Sequence, residues 1–403
     1  MRYISADYIF PISSEPVKNG IISVDVDGTI IDVNSPSRRH PELVEGLNTE
    51  SEIEYHKGII CPGFINTHCH LELSYLYKHI SENDGMTGFI KELVSKRFAF
   101  SEEQIQQSII EAEAAMIKNG IVAVGDISNN NSTFNQKSKG NLLYHTFIEI
   151  FNMDDGKAEE TFNKALQLQL ETSNLKLSSS IVPHAPYTMS ETLLKLINEY
   201  AHENKSIITI HNQESEGESE LFISKSGIMY EAFKAMGLNT NLMRRTGINS
   251  LQSTLPFIKD ANKILLVHNT FTSRKDIQWI KSQILNPKSQ IYFATCPNAN
   301  IYIENTLPDY NLFIEENVPV TIGTDSLASN WSLSILDELK TITKHYPTIP
   351  LQTLLTWSTK NGAEFFNFNQ LGTIEKGKKP GLNLLKNTDG MKITAETEVV
   401  KLV

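Results

Sequence analysis

The chain runs to 403 residues, with 47 acidic against 36 basic side chains, a formal net charge of −11 and 40% hydrophobic residues. Such a mixture excludes a disordered chain and supplies apolar material for a large core. The acidic balance, with Arg38, Arg39, Arg244, Arg245, Lys376, Lys378 and Lys379 scattered along the sequence, excludes a nucleic-acid polymer as partner.

The opening segment, Met1 to Phe10, carries Arg2 and Asp7 and lacks the apolar run of a signal peptide. No uninterrupted apolar stretch is long enough to span a bilayer. Cys61, Cys69 and Cys296 are odd in number and lack CxxC spacing, as expected in a reducing compartment. The expectation is a cytoplasmic chain with no membrane partner.

Before Cys61 the pattern is short and alternating, with strands expected at Tyr3 to Phe10, Gly20 to Val26 and Thr29 to Val33, and a hairpin turn at Asp27-Gly28. From Ile59 the rhythm changes to apolar strands separated by longer helical segments, the sign of β/α repetition. Eight strands are expected: Ile59 to Asn66, Ile121 to Asp126, Leu142 to Ile150, Leu177 to Val182, Ile207 to Ile210, Ile264 to Val267, Gln290 to Thr295 and Val318 to Gly323. Helices are expected between them, among others at Ser101 to Asn119 with a Ser101-x-x-Gln104 capping box, Ser190 to Asn204 and Leu333 to His345. Short strands after Gly372, ending in Val399 to Val403, can return to the N-terminal ones. The expected fold class is α/β, a (β/α)8 TIM-like barrel over 60–370. A small β domain is expected from 1–59 and 371–403.

Polar, metal-competent residues recur where these strands end: His68, Cys69 and His70, then Asp126, His184, His211, His268, Cys296-Pro297-Asn298 and Asp325. Barrel enzymes assemble their sites at that end, whereas an open doubly wound sheet gathers ligands at a switch point. A spacing of two in extended backbone turns both imidazoles of His68-x-His70 toward one ion. Alone, such a pair is as readily two hydrogen-bonded loop histidines. His211, His268 and Asp325 at equivalent strand ends make one shared cavity the better account.

Several stretches together resemble the amidohydrolase superfamily, in its aminohydrolase branch of deaminases and chlorohydrolases. They are Pro62 to Glu72, Val182 to Tyr187, His211 to Glu214, Val267 to Asn269 and Gly323 to Ser326. The resemblance implies a metal-dependent hydrolase barrel with a small β-sandwich from both termini. It implies that His68, His70, His211 and Asp325 hold one divalent ion, and that Glu214, His268 and Asp325 are catalytic. Asp325 would take a proton from water, Glu214 of the HxxE pattern would protonate the ring nitrogen, and His268 would orient the water. Imidazoles and a carboxylate suit Zn²⁺, and Fe²⁺ or Mn²⁺ match the same ligand types. The lysine that bridges two metals in binuclear relatives has no counterpart at the end of strand four, where His184 stands, so one ion is expected. Glu214 is read apart from the acidic run Glu214 to Glu220, whose other members are read mostly as solvated.

The segment His184-Ala185-Pro186-Tyr187 is similar to the sugar-contacting segment of S-adenosylhomocysteine and methylthioadenosine deaminases. The run His70 to Ser74 is closer to aminodeoxyfutalosine deaminases. These likenesses suggest His184, Tyr187, Glu72 and Ser74 as substrate contacts, with packing an equal reading for Glu72 and Ser74. Asn298, Asn300, Ser329 and Trp331, from the loops after strands seven and eight, are further substrate candidates, equally readable as turn or core residues. The S-adenosylhomocysteine and methylthioadenosine deaminases use arginines from the third barrel segment, and Phe151 to Lys176 contains none, so the comparison with them implies a neutral or weakly anionic ribosyl tail.

The implied activity is deamination of a purine-like ring, an adenine nucleoside such as aminodeoxyfutalosine or methylthioadenosine. A chlorohydrolase or a free-base deaminase of guanine or cytosine is the alternative on the same site. Two readings from other classes remain: a phosphatase built on Asp25-Val26-Asp27-Gly28-Thr29, and a barrel without catalysis. The expected partner is a small heterocycle, with a homodimer as candidate assembly.

Overall fold

The computed structural model describes residues 1–34, 53–283 and 290–403, so Arg38 and Arg39 lie outside the described residues. By packing the chain forms two compact units. One comprises Met1–Asn66, Ala114–Ala123 and Ser334–Val403, and the other Thr67–Glu113 with Val124–Leu333.

The first unit opens with β1 (Arg2–Ile9), β2 (Val17–Lys18), β3 (Ile21–Val24), β4 (Ile30–Asn34) and β5 (Ile53–Pro62). The expected hairpin joins β3 to β4, which pair antiparallel. Alternation along these strands turns Ile4, Ala6, Ile22, Val24 and Ile60 into one buried cluster.

The barrel strands follow: β6 (Phe64–Cys69), β7 (Ile121–Ser128), β8 (Leu143–Ile150), β9 (Ser178–Pro183), β10 (Ile207–Asn212), β11 (Lys263–His268), β12 (Gln290–Thr295) and β13 (Val320–Ile322). They are arranged as two four-stranded sheets, β6-β7-β8-β9 and β10-β11-β12-β13. Hydrogen bonds tie the two sheets at both seams. The His211 N–H donates to the His184 carbonyl at 2.9 Å, and the Thr324 and Asp325 N–H groups both donate to the His68 carbonyl at 3.0 Å. The strand order thus runs round from β6 to β13 and back to β6, the order of a (β/α)8 barrel.

β14 (Leu382–Lys386) and β15 (Glu398–Lys401) return to the first sheet, whose order is β15-β14-β5-β1-β3-β4 with β2 on β1. Both ends of the chain therefore build one sheet.

Most strand boundaries shift by one or more residues from the sequence reading, and two of the shifts have a visible cause. Ile59 to Asn66 is not one strand: Ile59–Pro62 pairs with β14, and the barrel strand starts at Phe64. The break falls at Gly63, where a Cβ would lie 2.3 Å from Val122 Cγ1 and 2.8 Å from the Pro380 carbonyl. The last barrel strand begins at Val320 rather than Val318, because the Val318 N–H closes the preceding helix on the Phe313 carbonyl at 2.9 Å.

Local capping chemistry sets the helix starts. Ser101 and Gln104 make the reciprocal capping box at 2.9 and 3.3 Å ahead of helix Glu102–Lys118. The Ser190 hydroxyl accepts the Leu193 N–H at 3.2 Å and starts Glu191–Glu203, which buries Leu193, Leu194, Ile197 and Ala201. Ser334 caps Ile335–His345 in the same way. Among the described residues no helix is long and apolar enough to cross a membrane.

Candidate metal centre and its cavity

β6 carries His68 near its end, and one residue beyond the strand the chain presents His70 toward the same point. Their Nε2 atoms are 3.2 Å apart. Asp325 Oδ1 lies 3.8 Å from the first and 3.5 Å from the second. The ligand atoms of His68, His70 and His211 all fall within 4.8 Å of one another, as do those of Glu214, His268 and Asp325. Tight backbone makes this convergence possible. His268, Gln213 and Asp325 adopt φ values of +71°, +44° and +56°, the left-handed region that non-glycine residues enter only at a cost. Gly323 lets the end of β13 approach β6, since a Cβ there would sit 2.8 Å from His68 Cβ.

Several side chains of the cluster are held from behind. His211 Nδ1 donates to the His184 carbonyl at 2.7 Å, leaving Nε2 with its lone pair. Asp325 Oδ2 accepts the Ser329 hydroxyl at 2.7 Å, which leaves Oδ1 facing the histidines. His268 Nδ1 pairs with Asn300 Oδ1 at 2.9 Å, and its Nε2 is buried 3.3 Å from Glu214 Oε1 without a hydrogen bond. The Leu71 N–H, next to His70, donates to Asp126 at 2.8 Å, and Asp126 is paired with Lys137 at 2.5 Å, both fully buried.

Burial dominates the electrostatics. It holds His68 and His70 well below the ordinary histidine range, with neighbouring imidazoles pushing the same way. Burial and then His184 lower His211 to about 4. Glu214 moves in the opposite direction. Burial first, then the charges of Asp325, Glu218 and Glu304, push its carboxyl well above the usual range. Imidazoles with an inward carboxylate are the donor set a borderline divalent cation takes, and here two ring nitrogens 3.2 Å apart converge with a carboxylate oxygen on one point. The residues present fit a metal ion.

Next to this cluster lies a cavity of about 260 Å³. His70, His211, Glu214 and Asp325 line it, as do the sequence-expected His184 and Tyr187. Other expected contacts do not line it. Asn300 and Ser329 stand behind His268 and Asp325. Glu72 is buried and accepts the Asn129 N–H at 3.1 Å, and the Ser74 hydroxyl turns back to the Leu71 carbonyl at 2.7 Å. Asn298 is buried in helix Pro297–Glu304. Trp331 points its indole N–H outward to Glu82 at 2.9 Å. Glu218 is expected from the acidic run to be solvated and is instead buried, because its carboxylate accepts the Gln213 and Glu214 N–H groups at 3.1 and 3.3 Å. The Asp25 to Thr29 segment is a hairpin turn in an antiparallel pair, not the strand end of a doubly wound sheet that the phosphatase reading requires.

Glu149, Asn129 and Arg97 are among the cavity residues the sequence reading missed. Glu149 stands one place from the end of β8, with Oε1 3.5 Å from His211 Nδ1 and Oε2 accepting from Asn129 at 2.9 Å. The strand-end rule that found His211 applies to Glu149 equally. Asn129 follows β7 and also lines the cavity. Arg97, after helix Gly85–Lys96, carries no such signal.

A closed ring of strands with a buried histidine and carboxylate cluster at its C-terminal end defines the class of metal-dependent (β/α)8-barrel hydrolases. Residues 59–402 match the amidohydrolase family, and the chain belongs to it. It is 27% identical over 356 residues to an adenosine deaminase of Helicobacter pylori, covering 87% of this chain and 83% of that protein. It is 24% identical over 365 residues to a 5′-deoxyadenosine deaminase of Methanococcus maripaludis, covering 86% and 77%. Among solved structures, Helicobacter pylori aminofutalosine deaminase in complex with methylthio-coformycin superimposes with a TM-score of 0.81 at 22% identity, over 99% of this chain and 97% of that one.

Proposed function

We propose that this chain is a metal-dependent aminohydrolase that removes the exocyclic amine of an adenine nucleoside. His68, His70, His211 and Asp325 are read as the ligands of one divalent ion, zinc by the chemistry of the donor set. When bound, the ion supplies Lewis acidity that makes a water molecule a nucleophile at neutral pH.

The observation that carries the reading is Glu214, a buried carboxyl raised well above the usual range, which lines the cavity beside His268 and Asp325. A proton held there goes to the purine nitrogen beside the carbon under attack, which makes that carbon electrophilic. Asp325, a carboxylate held by Ser329, takes one proton of the attacking water and passes it to the departing amine, while the second proton leaves as the ring carbonyl forms and restores Glu214. His268, fixed by Asn300, orients that water through Nε2. His184 and Tyr187 face the sugar. The names of the relatives support an adenine nucleoside over a free base.

The same reading divides the chain into a barrel over 60–370 and a small β domain from 1–59 and 371–403. It takes the protein as cytoplasmic, in keeping with three buried cysteines that form no disulfide among the described residues.

Incubating metal-replete protein with adenosine, methylthioadenosine, guanine, cytosine and a chlorotriazine, with ammonia and chloride assayed separately, tests the proposal. Ammonia from the two nucleosides is expected. Chloride release, or ammonia from free bases alone, overturns it.

A further inference from the structure

Asp126 stands near the end of β7, where a carboxylate could serve as a ligand, yet the convergent ligand atoms of the cluster do not include its own. Both of its oxygens are turned elsewhere. Oδ1 accepts the Leu71 N–H at 2.8 Å, and Oδ2 pairs with Lys137 Nζ at 2.5 Å.

Lys137 ends the short helix Phe134–Lys137 that follows β7, and its side chain is fully buried, as is that of Asp126. An ammonium has three N–H donors, and here each has an acceptor: Asp126 Oδ2, the Ser128 hydroxyl at 2.9 Å and the Thr146 hydroxyl at 3.3 Å. The rings of Phe134 and Tyr144 each lie 5.7 Å from the ammonium. Taking two charges out of water is expensive, and a buried ion pair commonly stabilises a fold no more than apolar side chains of the same volume. What the pair supplies and apolar side chains cannot is a carboxylate oxygen held at one point.

That oxygen faces the peptide between His70 and Leu71. The peptide is held at both polar groups, since the His70 carbonyl accepts the Leu73 N–H at 3.0 Å while the Leu71 N–H reaches Asp126. Its plane is set by the ψ angle of His70, which is +78° at a φ of −117°, between the helical and extended regions. Local preference does not hold a residue there, and the bond to Asp126 does. His68 lies within β6, whereas His70 lies one residue beyond it, so the direction of its imidazole depends on this peptide. The loop is also tied in the other sense, because Glu72 accepts the Asn129 N–H from the segment after β7 at 3.1 Å.

We propose that Lys137 is a positioning residue for the metal centre: it fixes Asp126, Asp126 fixes the peptide after His70, and that peptide aims the His70 imidazole at the ion. This rests on the reading of His70 as a ligand. Lys137 is absent from the cavity lining and from the ligand cluster, so it acts on the site through this chain of contacts.

Titrating the zinc-loaded protein with a chelator of known affinity reads the Kd of the site without turnover. The visible spectrum of the cobalt-loaded protein reads the ligand geometry. Lys137→Met keeps the length of the side chain and removes its charge. It is expected to weaken zinc binding by about tenfold or more, the range for lost outer-shell partners, and to alter the cobalt spectrum. Because this variant strands Asp126 without a cation, the paired variant Asp126→Asn/Lys137→Met is measured beside it. A neutral pair of similar volume keeps the fold, and the asparagine offers Leu71 an oxygen that no ammonium pins. Denaturation of the chelator-stripped paired variant is expected to match the wild type while zinc binding is again weaker and the cobalt spectrum changed. A paired variant that holds zinc as tightly as the wild type, with the same cobalt spectrum, overturns the proposal. His70→Ala separates the two readings. If zinc is lost there and kept in the paired variant, the Lys137 assignment falls and the ligand reading stands; if His70→Ala holds zinc like the wild type, both fall.

Discussion

The Asp25 to Thr29 hairpin and the strand-end cluster of the barrel both display carboxylates that chemistry can use, and they treat them in opposite ways. In the hairpin, Asp27 is half exposed and is held by Lys379 Nζ at 2.5 Å and the Thr29 hydroxyl at 2.7 Å. The lysine first, and then the threonine, hold it well below the usual carboxylate range, so it is a settled anion. In the barrel, Glu214 is buried among other carboxylates, which raises its carboxyl well above the usual range. A motif with two aspartates and a threonine is inert where water and a lysine satisfy it. A lone glutamate becomes an acid where the fold withholds both.

The largest effect is expected at the ligands. Elemental analysis of wild-type protein purified without chelator is expected to find about one divalent ion per chain, set by four ligands around a single open position. Asp325→Ala or His68→Ala is expected to abolish both bound metal and turnover. Two tightly held ions in the wild type, or full metal retention and activity in both variants, would falsify the mononuclear assignment.

Glu214→Gln keeps the shape and removes the proton. Metal content should match the wild type while kcat drops by ~10²-fold or more. A rate near wild type would make Glu214 as inert as Asp27 and dissolve the contrast between the two regions.

A more selective effect is expected at His184, which lines the cavity with its Nδ1 3.0 Å from the Thr188 hydroxyl. His184→Ala should raise KM for adenosine far more than for adenine, because only the nucleoside carries the sugar that His184 is proposed to hold. Equal changes for both would remove His184 from the sugar site.

Another buried group gives a pH signature away from the cluster. His145 on β8 holds the Ser178 and Ser180 hydroxyls at 2.9 and 3.0 Å. Burial, and then the charge of Lys137, lower it to about 3. The unfolded side chain titrates near ~6.5, so between these values protons favour the unfolded state. Its contribution to stability is complete above pH ~6.5 and is lost as the pH falls toward about 3. Denaturant titrations across that window should show a shallower acid slope for His145→Gln. An unchanged slope would mean the histidine is already accessible to protons.

The smallest effect belongs to the hairpin. Asp25→Asn should leave ammonia release from adenosine within about twofold of wild type, since exposed substitutions away from special features change little. Loss of activity in that variant alone would revive the phosphatase motif as chemistry.

The ligand positions are readable because each follows an apolar strand, and the alternation of extended backbone decides which way a side chain turns. Glu149 obeys the same rule, yet it sits inside the apolar run Leu143–Ile150 and reads as part of the strand. Asn300 and Ser329 stand out in the sequence as polar residues near the site, but their partners, His268 and Asp325, come from other segments or another turn. Direction of a side chain within a loop is a packing outcome, and loop composition does not encode it.

Sequence alone determined the periodicities, the capping box at Ser101, the helix start at Ser190, the hairpin at Asp27-Gly28 and the strand-end histidines, because these depend on residues within a few places of one another. Tertiary structure decided what required distant segments to meet. Gly63 ends one strand because Val122 and Pro380 approach it. Glu218 is buried because its helix folds back on Gln213 and Glu214. Arg97 enters the cavity because the helix before it lays one face along the wall. In each case burial and the partner that accompanies it change the chemistry of the side chain, and both are properties of the packed chain.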